Sequence, residues 1–126
     1  MSPFRMKCCG ITSADDARTA AGLGFDAIGL VFARRSTRVL SVDQARVIRA
    51  AIPADVSAVC LFMDNDADQV RQVVDAVQPD ILQFHGRETD DWCGPLCVCY
   101  LEAVSMGEWS AALPARVEIT GTAAWL

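Results

Sequence analysis

The sequence predicts an α/β protein with a parallel sheet, because short apolar runs alternate with amphipathic stretches along the chain. Two further observations support this class. The apolar runs contain few polar residues, as strands covered on both faces do, and helix-start signals follow them. We expect four βα units and a fifth strand in one domain, since 126 residues are enough for a single core.

The predicted helices begin and end at recognisable signals. Ser13 followed by Asp16, and Ser41 followed by Gln44, have the spacing of a capping box. Pro53 ends the second helix, as the missing N–H of proline requires. In the third helix, four residues at helical spacing predict one buried face. They are Val70, Val73, Val74 and Val77.

The apolar runs between these helices predict the strands. The runs are Met6–Ile11, Asp26–Phe32, Val56–Met63 and Ile81–His85, with a weaker fifth candidate at Val98–Val104. Parallel strands place their carboxyl ends at one edge of the sheet, where functional residues of such folds gather. We therefore predict a functional site at that edge.

Four polar side chains fall at or just beyond the ends of different predicted strands, namely Cys9, Arg38, Asp64 and His85. Each has a structural interpretation beside its chemical one. The Cys9 thiol could act as a base or nucleophile, or pack in the core like Cys8, which strand alternation turns towards the helices. Arg38 could bind a carboxylate or be solvated. His85 could be structural, and Asp64 could be a helix cap, as could Asp66.

Composition and charge argue against several classes of function. The net charge of −5 and the pI near 4.6 give no attraction to nucleic acid or to an anionic membrane. The longest apolar run is too short to span a bilayer, and the first residues lack the apolar core of a signal peptide. We expect a cytoplasmic protein with neither kind of partner.

The six cysteines favour free thiols. Cys8, Cys9 and Cys60 lie in apolar, strand-like runs, which favours buried thiols in a reducing compartment over a disulfide scaffold. A second group, Cys93, Cys97 and Cys99, has the spacing C-x3-C-x-C, without the second ligand pair of a typical zinc site. We expect no metal site, with a cysteine-based metal or redox module as an alternative.

Five segments have the order and spacing of the motifs of one enzyme family. They are Lys7–Thr12 (KCCGIT), Gly24–Phe32 (GFDAIGLVF), Ser36–Arg38 (STR), Val59–Phe62 (VCLF) and Leu82–Glu88 (LQFHGRE). In turn they resemble K-x-C-G-[IL]-T, G-x-D-x-x-G-x-[IV]-F, S-P-R, V-G-V-F and Q-L-H-G-x-E of the phosphoribosylanthranilate isomerases. The resemblance covers about residues 5 to 106.

This resemblance implies a fold, a reaction and residue roles. The fold is a parallel (β/α) barrel, here incomplete, with about four to five βα units. The reaction is the Amadori rearrangement of N-(5-phosphoribosyl)anthranilate to 1-(2-carboxyphenylamino)-1-deoxyribulose 5-phosphate in tryptophan biosynthesis, without metal or organic cofactor. By position, Cys9 is the general base, Arg38 holds the anthranilate carboxylate and His85 lines the site.

The likeness ends after Met106. We predict a partial isomerase domain over residues 1–106 and a divergent tail over 107–126, as a truncated or frame-shifted reading of a longer gene would give. The family's general-acid aspartate has no counterpart, because no aspartate follows Asp91. The acid is therefore unknown, and Glu118, in the sixth-strand candidate Ala115–Thr120, is the nearest carboxylate.

Open sheet edges of such a partial barrel favour self-association. We expect a homo-oligomer or an aggregate, and little or no turnover by the 126 residues alone. The alternative is an inactive half-barrel that only associates with itself or complements a missing half.

Overall fold

Helices and strands alternate along the chain, as the sequence predicts. The structure, a computed structural model, describes residues 6–86, 100–102 and 122–125. The elements are β1 (Lys7–Cys9), α1 (Ala14–Gly22), β2 (Ala27–Val31), α2 (Val42–Ala51), β3 (Ser57–Phe62), α3 (Ala67–Val77), β4 (Ile81–Phe84), β5 (Tyr100–Glu102) and β6 (Thr122–Trp125). The predictions for Cys93, Cys97, Cys99 and Glu118 fall outside the described residues.

All six described strands form one parallel sheet in chain order, β1 to β6. Parallel neighbours need a crossover connection, and α1, α2 and α3 provide it for the first four strands. The predicted parallel α/β class is confirmed. The sheet also has a sixth strand at Thr122–Trp125, later in the chain than the predicted run Ala115–Thr120, which the structure does not describe.

The core lies between the helices and one face of the sheet. Alternate strand residues, such as Leu30, Cys60 and Leu82, pack there with the buried residues of the three helices. The rings of Phe32, Phe62 and Phe84 stack in a row, with centroids 5.5 and 5.9 Å apart. The intervening strand residues therefore lie on the opposite face, which we call the inner face.

The sheet is strongly curved towards its inner face. On β1, the Lys7 ammonium donates a hydrogen bond to Gln83 Oε1 on β4. In a flat sheet β1 and β4 would be about 14 Å apart, since neighbouring strands are about 4.8 Å apart. Side chains that project in the same direction from these two strands could not meet over that distance. The contact across β2 and β3 therefore requires the curvature of a barrel wall.

The helix termini follow the predicted signals. Ser41 and Gln44 form a complete capping box before α2, and the Ser13 hydroxyl accepts a hydrogen bond from Asp16 N before α1. The helix α2 ends at Ala51, ahead of Pro53. On α3, three of the four predicted valines are buried, namely Val70, Val73 and Val77, and Val74 is partly buried against the core. None of the helices in the described ranges has the length and apolar character needed to cross a membrane.

Removal of the Ser41 cap is expected to destabilise the fold by about 1 kcal/mol, the usual cost of losing an N-cap side chain. Asp66 is the matched control, because it is the N-cap of α3 but makes no side-chain cap hydrogen bond. Its exposed pair with Arg34 stabilises by less than about 1 kcal/mol. Urea unfolding followed by circular dichroism compares Ser41→Ala with Asp66→Ala. Equal losses would contradict the role of the box.

Candidate active site

Cys9 ends β1 on the inner face, with its side chain exposed, whereas Cys8 packs against the core on the helix side. Gly29 on β2 is the register partner of Cys9. A Cβ placed on Gly29 would lie 2.8 Å from Cys9 Sγ, closer than real contacts allow. The thiol therefore occupies space that is open because residue 29 has no side chain.

Arg38 reaches Gly10, the residue after Cys9, from the loop after β2. The Ser36 hydroxyl accepts a hydrogen bond of 3.1 Å from Arg38 N, which fixes the backbone of this loop. The guanidinium lies against Gly10, where a Cβ would be 2.6 Å from Nη1 and 2.7 Å from Cζ. Gly10 adopts a φ of +80°, which favours glycine. The structure thus brings Arg38 against the residue that follows Cys9.

His85 follows β4 and is joined to two polar residues of the inner face. Its Nε2 lies 2.6 Å from Gln83 Nε2, and Gln83 Oε1 accepts the hydrogen bond from Lys7. Gln83 is only 2% exposed, so these two partners satisfy a buried amide. Lys7 and Gln83 are not among the residues predicted for the site. Strand alternation could have predicted them, because each lies two residues before a site candidate and therefore on the same strand face.

Burial shifts the protonation equilibria of this group. Burial lowers the pKa of Lys7, and the nearby Cys9 opposes that shift by favouring the ammonium form. The pKa of His85 is lowered by burial first and by the positive charge of Lys7 second. Because the ordinary histidine pKa is already below 7, the His85 imidazole is neutral at neutral pH.

Asp64 lies at the carboxyl end of β3, and its interpretation as a helix cap is wrong. The N-cap of α3 is Asp66, whereas Asp64 has a φ of +52° and its carboxylate lies against Gly86. The next residue, Asn65, is buried and holds this turn in place. Its Oδ1 accepts a hydrogen bond from Met63 N (2.9 Å), and its Nδ2 donates one to Phe32 O (3.0 Å). Asp64 is thus positioned beside β4 by the turn.

The described cysteines Cys8, Cys9 and Cys60 are free thiols. Within the described ranges no group of three or more histidine, cysteine, aspartate or glutamate side chains could hold a metal ion. Burial raises the pKa of the Cys60 thiol to about 12, and the charge of Arg49 offsets only part of that effect. Cys60 is therefore an unreactive core residue.

Thiol labelling is expected to distinguish these cysteines. With a pKa of about 12, only about one Cys60 thiol in 10⁴ is ionised at pH 8, and the thiolate is the reactive form. In a Cys93→Ser, Cys97→Ser, Cys99→Ser background, we expect the exposed Cys9 to react before unfolding and Cys60 only after it. Mass spectrometry of peptides from a time course measures this order. Labelling of Cys60 in the folded chain would contradict its burial.

The strands are parallel and in chain order, and the helices pack on one face of the sheet. Polar groups from β1, β4 and the loop after β2 lie near one edge. These features define a protein of the (β/α)-barrel type. A sequence profile described as N-(5'phosphoribosyl)anthranilate (PRA) isomerase matches residues 6–99. The chain belongs to the N-(5'-phosphoribosyl)anthranilate isomerase family.

Curated relatives agree with this assignment. The isomerase of Stenotrophomonas maltophilia strain K279a is 45% identical over 103 residues, which cover 82% of this chain and 47% of that protein. The isomerase of Xylella fastidiosa strain M12 is 46% identical over 102 residues, or 81% and 46% of the two chains. The chain thus spans about half the length of the curated relatives it matches.

Solved structures support the barrel-type fold. The isomerase of Thermotoga maritima superposes with a TM-score of 0.81 at 31% identity, covering 90% of this chain and 58% of that one. A phosphoribosylanthranilate isomerase in complex with reduced 1-(o-carboxyphenylamino)-1-deoxyribulose 5-phosphate also gives a TM-score of 0.81, at 32% identity, covering 90% and 61%. The predicted parallel (β/α)-barrel type is confirmed.

Proposed function

We propose that this chain provides the general base and the carboxylate anchor for the Amadori rearrangement of N-(5'-phosphoribosyl)anthranilate. The observation that supports this most is the contact of the Arg38 guanidinium with Gly10, the residue that follows Cys9. A thiol that can take a proton and a guanidinium that can hold a carboxylate are thereby brought to one edge of the sheet.

In this proposal Arg38 binds the anthranilate carboxylate, and its planar fork donates two hydrogen bonds. The anchored substrate then presents the sugar end of the molecule to Cys9. Once the furanose ring has opened to the Schiff base, the Cys9 thiolate removes the C2′ proton and the resulting enol rearranges to the ketone. His85 lines the site. The general acid for ring opening stays unknown, and Glu118, the nearest carboxylate, lies outside the described ranges.

The substrate is a phosphorylated sugar bearing an anthranilate, and no metal or organic cofactor takes part. Support for this ligand class is the neighbouring isomerase solved with a reduced phosphorylated product. Another structural neighbour is described as monomers generated from the dimeric isomerase of Thermotoga maritima. We infer a cytoplasmic enzyme of tryptophan biosynthesis that self-associates.

The test is the loss of phosphoribosylanthranilate fluorescence. The assay uses the 126-residue chain and a graft in which residues 6–86 replace the aligned segment of the Stenotrophomonas maltophilia relative. We expect saturable turnover by the graft that falls with Arg38→Met but not with Arg35→Met. Both arginines are exposed in the same loop, but Arg38 is the one against Gly10.

A folded graft that leaves the fluorescence unchanged would contradict the proposed isomerase function. Equal loss of turnover with Arg35→Met and Arg38→Met would contradict the assignment of the anchor. The 126-residue chain, assayed beside the graft, measures how much of the activity resides in these residues alone.

A further inference from the structure

Three polar side chains form a hydrogen-bonded row along the inner face, from β1 to the end of β4. Lys7 Nζ donates to Gln83 Oε1, and Gln83 Nε2 lies 2.6 Å from His85 Nε2. The central amide is 2% exposed, so neither of its ends can exchange these partners for bulk water at low cost.

The direction of each hydrogen bond in the row follows from the donor inventory. A lysine ammonium has three N–H groups and no acceptor, so the group that faces it must be the amide oxygen of Gln83. The amide NH₂ of Gln83 must then face His85. A donor that faces an imidazole nitrogen requires a lone pair there, so His85 Nε2 is the acceptor and Nδ1 carries the proton.

We propose that Lys7 and Gln83 are positioning residues that hold His85 as the neutral Nδ1–H tautomer, a hydrogen-bond donor whose basic nitrogen is already occupied. The lowered pKa of His85, caused by burial and by the charge of Lys7, agrees with a neutral ring. Besides Lys7, two further groups face this region. They are Cys9 on the inner face and the Asp64 carboxylate against Gly86.

This proposal rests on the proposed function and assigns different roles to Cys9 and His85 within that site. If Nε2 accepts from Gln83, His85 cannot take the C2′ proton there without losing that hydrogen bond. Proton removal is then left to Cys9, and His85 contributes an N–H to an oxygen of the ligand. Lys7 and Gln83 act only through His85.

His85 is the only histidine in the chain, so labelling with ring-¹⁵N histidine gives one pair of ring-nitrogen signals. Long-range proton–nitrogen spectra of the 126-residue chain at neutral pH show directly which nitrogen carries the proton. We expect an unprotonated Nε2 and a protonated Nδ1. A protonated Nε2, or a ring charged at both nitrogens, would overturn the proposal.

Three variants test the roles of Lys7 and Gln83. Lys7→Met frees the amide to turn, and we expect loss of the single tautomer. Lys7→Arg keeps a charged group that only donates, so the wild-type signature should remain. Gln83→Glu places an acceptor beside His85, so the proton should move to Nε2. An unchanged signature in Lys7→Met or Gln83→Glu would overturn the proposal.

These signals do not depend on turnover. A graft without isomerase activity, together with the expected tautomer pattern, would defeat the proposed function and leave the positioning role intact. An active graft without the expected tautomer pattern would support the proposed function and defeat the positioning role of Lys7 and Gln83. If Lys7→Met fails to fold, the wild-type tautomer and the Gln83→Glu signature still decide the question.

Discussion

Replacement of Cys9 by alanine is expected to lower kcat by about 10²–10⁴-fold, the usual contribution of a general base. The thiol lies exposed on the inner face above Gly29, and its loss leaves no group on β1 that can take a carbon-bound proton at that position. KM should change little, because the Arg38 guanidinium that holds the carboxylate is untouched. Steady-state kinetics of the graft carrying Cys9→Ala measure both constants.

Cys8→Ala is the matched control, because it removes the neighbouring thiol from the opposite face of the same strand. Cys8 packs against the core, so its loss should reduce stability slightly and leave kcat unchanged. A similar fall in kcat for both variants would mean that the effect is structural. A Cys9→Ala enzyme with full kcat would show that another group removes the proton.

A second large effect is expected from Gly10→Ala, which displaces the Arg38 guanidinium without altering the arginine. A Cβ at residue 10 would lie 2.6–2.8 Å from three guanidinium atoms, so the side chain must move away. Charged hydrogen bonds contribute about 1.5–3 kcal/mol, which corresponds to a rise in KM of about 10–100-fold. Kinetics of the graft carrying Gly10→Ala test this.

Gly24→Ala is the control for the effect of backbone strain. Gly24 has a φ of +95°, comparable to the +80° of Gly10, but a Cβ there would meet nothing within 4 Å. Both variants should lose about 1–2 kcal/mol of stability from the left-handed conformation, and only Gly10→Ala should raise KM. An unchanged KM in Gly10→Ala would contradict the role of Arg38 as the anchor.

The local features of this fold could be predicted from the sequence because they depend on neighbouring residues. The capping box of Ser41 and Gln44 is set by a spacing of three residues. The buried valines of α3 follow from helical periodicity. Strand alternation likewise turns Cys8 to the helices and Cys9 to the inner face.

The rest of the site depends on contacts between distant parts of the chain. Lys7 and Gln83 are 76 positions apart and meet only because the sheet curves. Arg38 packs on Gly10 through a loop conformation that no periodicity encodes. Asp64 is of a residue type that is common at helix N-caps. The buried side chain of Asn65 instead holds Asp64 in a turn, and the N-cap of α3 is Asp66. In these cases the sequence pattern identifies the residue types but does not predict which distant residues they contact.

Each described strand pairs with the strand that comes next in the chain. Such nearest-neighbour pairing requires shorter loops to close during folding than a strand order with distant partners would, which lowers the entropy cost of loop closure. The first two strands and the loops that follow them contain Cys9, Gly10, Gly29 and Arg38. Since a polypeptide leaves the ribosome from its N-terminal end, the segments that contain the thiol and the guanidinium emerge before the later strands are synthesised.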